Sequence, residues 1–205
     1  MFSEFLGYLR MDKKWAKLLG LVRSDNEEDY GFIVDVSRHH ILATDAGQVI
    51  RIERPIDVEL IEGYYILADR LFVQVPEDKL GFKFPDFSDK FNRDQFTKTA
   101  VLEIKDYPLL SMAQAIMEFN VIIDIDKFRR VVEAIAAFKP TYIRVYGFVD
   151  AAPLKPCPLK FEFMVEEDGH DPVVVEYVVM PLKLKPDDFV KVDKQPMLFD
   201  LKKAS

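Results

Sequence analysis

The chain has 205 residues, 49% hydrophobic and 31% charged, a soluble globular balance with enough length to bury a core as one large domain or two small ones. Its one cysteine, Cys157, excludes an internal disulfide and a thiolate cluster, and no apolar run is long enough to cross a bilayer as a helix. A formal net charge of −7 excludes a uniformly basic nucleic-acid-binding surface, so any such role depends on where the lysines and arginines lie.

Residues 3–19 read as an amphipathic helix, with Ser3 as N-cap, Glu4 in the first turn and Gly20 past the end. Arg10, Lys13, Lys14 and Lys17 recur at spacings of three and four, which places them on one face. That stripe is purely basic in an acidic chain, which makes it a candidate DNA-facing surface; the plainer alternative is a solvated face. From residue 30 the period changes to strands at 30–36, 40–44 and 48–54. Ser37-Arg38 and Asp45-Ala46-Gly47 suit tight hairpin turns between them. Strands at 63–68 and 71–75 follow. Across 84–98, Phe84, Phe87, Phe91 and Phe96 alternate with Lys90, Arg93 and Lys98. We read these phenylalanines as anchors of a linker rather than as a stacking platform for single strands.

The second half repeats the plan. Residues 109–119 read as a helix after Pro108, 121–125 as a strand, and Asp126 as the cap of a helix ending at Phe138. In that helix Phe128, Val131, Val132 and Ile135 form the apolar face, with Lys127, Arg129, Arg130 and Glu133 opposite. Strands at 141–148, 159–165 and 173–179 complete an α+β pattern in which helix-then-three-strands occurs twice, a weak internal repeat. The expected organisation is a first lobe with connector at 1–98, a second lobe at 99–185 and a tail at 186–205. Met1-Phe2-Ser3-Glu4 lacks the pattern of a signal peptide, so a cytoplasmic location and no membrane contact are expected. His39, His40 and His170 show no ligand spacing, and no metal or other cofactor is expected.

One stretch stands out: Glu176-Tyr177-Val178-Val179-Met180-Pro181-Leu182-Lys183-Leu184. Its β-branched half is a buried strand, and the proline stops the ladder while the chain is still apolar, leaving Met180, Pro181 and Leu182 as a greasy lip. The run resembles the terminal strand of bacterial DNA sliding clamps, the beta subunit of the replicative polymerase. Ala43-Thr44-Asp45-Ala46-Gly47-Gln48-Val49 is similar to the clamp's Ala-Thr-Asp-Gly-His-Arg-Leu hairpin, and Phe84-Pro85-Asp86-Phe87 is similar to its connector. The resemblance implies a shortened sliding-clamp fold, with helices on one face of antiparallel sheets. Gly47-Gln48 stands where the family has His-Arg, and the intervening segments are shorter. The implied function is non-catalytic: a processivity factor that associates with or encircles duplex DNA without reading sequence. Arg10, Lys13, Lys14, Lys17, Lys127, Arg129 and Arg130 would meet phosphates. Polymerase or repair partners would dock in a peptide pocket of Thr44, Ala46, Gly47, Gln48, Val49, Pro85, Lys90, Val178, Val179, Met180, Pro181, Leu182 and Lys183. Two lobes per chain would imply three copies in a six-lobe ring.

After Leu184 the chain is charged and aperiodic until Gln195-Pro196-Met197-Leu198-Phe199-Asp200-Leu201. A compact apolar cluster on a polar arm contributes little to a core and is typical of a short linear motif. Gln195, Met197, Leu198, Phe199 and Leu201 resemble the Gln-x-x-Leu-Phe peptides that clamp partners insert into the clamp pocket. The tail would then bind its own pocket, a neighbour's, or a resident clamp, the last making the chain a clamp-like accessory or competitor. The alternative is packing back on its own domain. An enzyme is the rival class, with Asp45, Asp86, Asp124 and Asp126 as metal-binding carboxylates, but nothing fixes their spacing.

Overall fold

Alternation of β-branched and aromatic residues with polar ones builds most of this protein into one sheet. The computed structural model describes residues 8–22, 33–53, 61–68, 71–81, 83–104, 112, 113, 116, 119, 121, 123–148, 157–166 and 171–181. The strands are β1 (Tyr8–Arg10), β2 (Ile33–Val36), β3 (His40–Thr44), β4 (Gln48–Glu53), β5 (Gly63–Ala68), β6 (Leu71–Val75), β7 (Lys98–Glu103), β8 (Tyr142–Gly147), β9 (Leu159–Val165) and β10 (Val173–Val179). Together they form a ten-stranded sheet in the order β1-β6-β5-β2-β3-β4-β10-β9-β8-β7. Each pairing is antiparallel. The fold is α+β, with one large antiparallel sheet and few helices. Strands from either side of residue 98 share this sheet, because β4 pairs with β10.

The α-helices whose bounds the described residues give are α1 (Lys13–Gly20), the single turn α2 (Ser88–Phe91) and α3 (Ile125–Phe138). Met112, Ala113, Ile116 and Phe119 are helical as well. Ala16, Leu18 and Leu19 of α1 and Val131, Ala134 and Ile135 of α3 join one buried cluster with Val36, Ile50, Val145, Phe161, Val175 and Tyr177 of the strands. Both helices therefore cover the same face of the sheet, and Trp15 meets Phe138 with ring centroids 4.7 Å apart. The opposite face carries a second cluster. There Leu80, Phe84 and Phe91 of the 77–97 connector lie on Ile33, Leu42, Val49, Ile66, Val75 and Val178, with Phe87 packed alongside. Phe96 meets the rings of Tyr146 and Phe148. The connector phenylalanines are thus anchors, as their spacing suggests.

Four expectations need correction. The helix expected over 3–19 begins only at Lys13. Tyr8, Leu9 and Arg10 instead pair with Val73, Phe72 and Leu71, and the Asp12 carboxylate caps α1 by accepting from Lys14 N at 2.7 Å. Ser3 and Glu4 lie outside the described residues. Among the described positions of 121–125 there is no strand. Ile125 opens α3, and its cap is Asp124 rather than Asp126, because Asp124 Oδ1 accepts from Asp126 N and Lys127 N at 2.9 and 3.2 Å. Finally, β7 is a full edge strand where none was expected.

Candidate functional site

The hairpin at Thr44 and the end of β10 meet. Val178 pairs with Val49 and Val179 with Gln48, and Met180 N donates to Gly47 O at 2.9 Å. This juxtaposition brings Thr44, Ala46, Gly47, Gln48, Val49, Val178, Val179, Met180 and Pro181 into one neighbourhood. The alternation of the strands decides what each side chain does there. Thr44, Gln48, Val49, Val178 and Val179 are all buried. Val49 and Val178 lie beneath Phe84 and Phe91 of the connector, and Val179 lies in the helix-side cluster. These five residues are interior. The surface of the neighbourhood belongs to exposed Ala46 and half-buried Gly47, Met180 and Pro181. Pro85 lines a cleft of about 270 Å³ with Leu42, Tyr64, Phe84, Phe87 and Phe91. Lys90 pairs with its neighbour Asp89 at 2.6 Å. Leu182, Lys183 and the tail residues Gln195, Met197, Leu198, Phe199 and Leu201 lie outside the described residues.

A polar relay, unanticipated from the sequence, rigidifies this neighbourhood. Asp45 Oδ1 accepts from Gly47 N and Gln48 N at 3.0 and 2.8 Å, closing the turn in the manner of an Asx motif. Its Oδ2 accepts from Gln48 Nε2 at 3.0 Å and from Arg130 Nη1 at 2.9 Å. Gln48 Oε1 in turn accepts from the hydroxyl of Tyr177 at 2.7 Å, and Arg130 Nη1 also donates to Leu21 O. One chain of hydrogen bonds thus links β10, β4, the turn, α3 and the end of α1. Burial, with a smaller push from Asp45, drives the Tyr177 phenol far above its ordinary pKa, so it stays a donor. Ala46 takes a left-handed φ of 67° at the tip.

The candidate DNA-facing residues divide. Lys13, Lys14 and Lys17 are exposed on α1, and no ion pair engages them among the described residues. Half-buried Lys127 crosses the turn, its Nζ 2.5 Å from where a Cβ on Gly47 would sit. Arg129 is exposed between Asp126 at 3.5 Å and Glu133 at 3.7 Å. Arg130 is committed to Asp45, and Arg10 sits on β1 rather than on α1. The basic stripe is therefore narrower than the spacing suggests: Lys13, Lys14 and Lys17 share α1, but Arg10 belongs to a strand and cannot join their helical face.

The opposite face holds a charged cluster that the sequence did not announce. Lys160 is fully buried, yet Nζ donates to Phe91 O and Glu176 Oε1, both at 3.1 Å, and lies over the Tyr146 ring at 4.4 Å. Burial lowers its pKa, while Glu176 and Glu162 oppose the fall. Glu176 is also paired with Arg51, and Glu162 with Arg93 at 2.7 Å and Arg144 at 3.3 Å. This clasp holds the connector against the sheet. His40 lines the adjacent cleft of about 550 Å³; burial and then the Arg51 charge depress its pKa. The carboxylates of the enzyme reading serve locally: Asp45 in the relay, Asp86 on Ser88 N at 2.9 Å and Asp124 as a cap. Among the described residues no three His, Cys, Asp or Glu side chains gather at metal-binding distance. No protein-family model matches the chain, and no curated protein matches it.

Proposed function

We propose that this chain is a shortened, non-catalytic sliding-clamp-like processivity factor. Its helical face lies on duplex DNA, and its hairpin and β10 corner tether a polymerase or repair partner. The observation that carries the reading is architectural: α1 and α3 pack side by side on one face of a continuous antiparallel sheet, and α1 points exposed Lys13, Lys14 and Lys17 away from it. An acidic protein that surrounds DNA needs positive charge only there. Among the described strands, β1 and β7 lie at the two ends of the sheet. Joining one copy's β1 edge to the next copy's β7 edge is a head-to-tail contact, the kind that closes into a ring. The meeting of the Thr44 hairpin with Met180-Pro181 supports a partner-docking corner, its accessible part being Ala46, Gly47, Met180 and Pro181.

Contacts of this kind are made to phosphates and read no bases. Duplexes of unrelated sequence should therefore bind equally in fluorescence anisotropy, and affinity should fall steeply with salt. Replacing Lys13, Lys14 and Lys17 together by glutamate should weaken binding at low salt. It should also reduce the log–log salt slope by about 2.5 to 3, near 0.9 per lost phosphate contact. An unchanged slope in that variant, with the fold intact, refutes the helical face as the DNA surface.

A further inference from the structure

Six large apolar side chains are conspicuously exposed among the described residues, and three of them, Val101, Tyr142 and Met164, are 62%, 57% and 53% accessible at one corner of the sheet. Register explains their meeting. Val101 pairs with Arg144 and Tyr142 with Glu103, while Ile143 opposite Phe163 sets Tyr142 beside Met164 on the face away from the long helices. They line a cleft of about 560 Å³ whose other walls include Phe138, Pro140 and Val174. Its polar lining is mainly cationic. Arg93 and Arg144 are each more than half exposed and share the single carboxylate of Glu162, which Lys160 also approaches at 3.9 Å. Exposed Lys139 ends α3 at the same cleft, against one further carboxylate, Glu166. The cleft thus combines a greasy floor with surplus positive charge at its rim.

We infer that this cleft is the docking site of the chain's own C-terminal segment, residues 195–201. That segment supplies an apolar run, Met197, Leu198, Phe199 and Leu201, around one carboxylate, Asp200, with Lys194, Lys202 and Lys203 flanking it outside the docked stretch. Leu198 and Phe199 cover Val101, Tyr142 and Met164, and Asp200 faces Arg93 and Arg144. The tether reaches. Thirteen residues, 182–194, separate Pro181 from Gln195 and span up to about 45 Å. The path back along β10 and across to β8 needs about 23 Å lengthwise and about 10 Å sideways. A tethered segment also works at an effective concentration in the millimolar range, so a modest intrinsic affinity fills the site in cis. The inference does not depend on the clamp reading, since it leaves α1 and the Thr44 corner uncovered.

The protein's own methionines test it. In the full chain carrying Cys157→Ser and Lys202→Cys, a nitroxide at residue 202 should broaden the Met164 methyl resonance at least about fivefold more than that of buried Met112, as expected for docking rather than fraying. Adding Leu198→Ala and Phe199→Ala should abolish the difference, and unlabelled wild-type protein mixed in equal amount should leave it unchanged. Asp200→Lys should weaken the effect at least about threefold, and Arg144→Glu on that background should restore it. Apart from half-buried Cys157, which the near-isosteric serine replaces in every labelled chain, these positions are exposed or in the tail, so the fold is not at stake. Equal broadening of both methyls, persistence in the Leu198→Ala/Phe199→Ala variant, or loss on mixing with unlabelled chains each overturns the inference.

Discussion

The Tyr177–Gln48 hydrogen bond offers the sharpest energetic test, because both side chains are fully buried and the bond is 2.7 Å long. Tyr177→Phe removes the donor and leaves Gln48 Oε1 without one, which should cost about 1–3 kcal/mol. Gln48→Leu strands the Tyr177 hydroxyl and leaves Asp45 Oδ2 with Arg130 alone, for a cost at the upper end of the same range. The double variant removes both partners and substitutes apolar groups of similar shape, so no buried polar atom remains orphaned at that bond. It should cost little more than one single variant, which makes the coupling about 1–2 kcal/mol. Urea denaturation measures this, with all four proteins compared at a common slope. The same bond sets an alkaline signature. Burial raises the folded phenol above its ordinary 10.0, so above about that pH the unfolded chain releases a proton that the folded chain keeps. Stability is therefore full below pH 10 and declines as pH rises beyond it, less steeply in Tyr177→Phe. Costs that add to within about 0.5 kcal/mol would refute the relay as a connected unit.

Other consequences are local. Gly147→Ala would drive a Cβ into the Phe119 ring and to 2.9 Å from Leu159 Cδ2, so it should cost about 1–3 kcal/mol in denaturant midpoint, part of it recovered by adding Phe119→Leu. Ala46→Gly relieves the left-handed φ of 67° at the hairpin tip and should stabilise the protein by about 1 kcal/mol, read from the same melts. His40 has a depressed pKa, so between pH 6.5 and that lower value the unfolded chain binds a proton the folded chain does not. Stability should be lost as pH falls through this window, and His40→Gln should flatten the loss in melts taken from pH 7 to pH 5.

Much of the sheet was legible locally. Strands His40–Thr44, Gly63–Ala68, Leu71–Val75, Leu159–Val165 and Val173–Val179 have the bounds their alternation and flanking turns imply. What failed has physical causes. Arg10 stands at helical spacing from Lys13, Lys14 and Lys17, but spacing cannot register that Tyr8–Arg10 finds a strand partner sixty residues on, in β6. The signal for β7 was present in its alternation: Thr99, Val101 and Glu103 are exposed, while Lys98, Ala100 and Leu102 are half-buried. It went unread behind the linker. Asp124 and Asp126 compete for one cap, and only the backbone shows which carboxylate faces the free N–H groups. The burial of Gln48 and Lys160 follows from β4 pairing with β10 and β10 with β9, contacts between distant segments that leave no local trace. The same pairing joined the hairpin to Met180-Pro181, the one feature of the candidate site that motif similarity foresaw, while moving Thr44, Gln48 and Val49 from its lining to its interior.

The central proposal is topological, and one measurement addresses it directly. The protein is incubated at low salt with a nicked circular plasmid, free protein is removed by gel filtration, and half the sample is then linearised at a single site. Protein should co-elute with the nicked circle and be lost from the linear form, because a ring slides off an open end. Equal retention on both forms, or retention on neither, would contradict it.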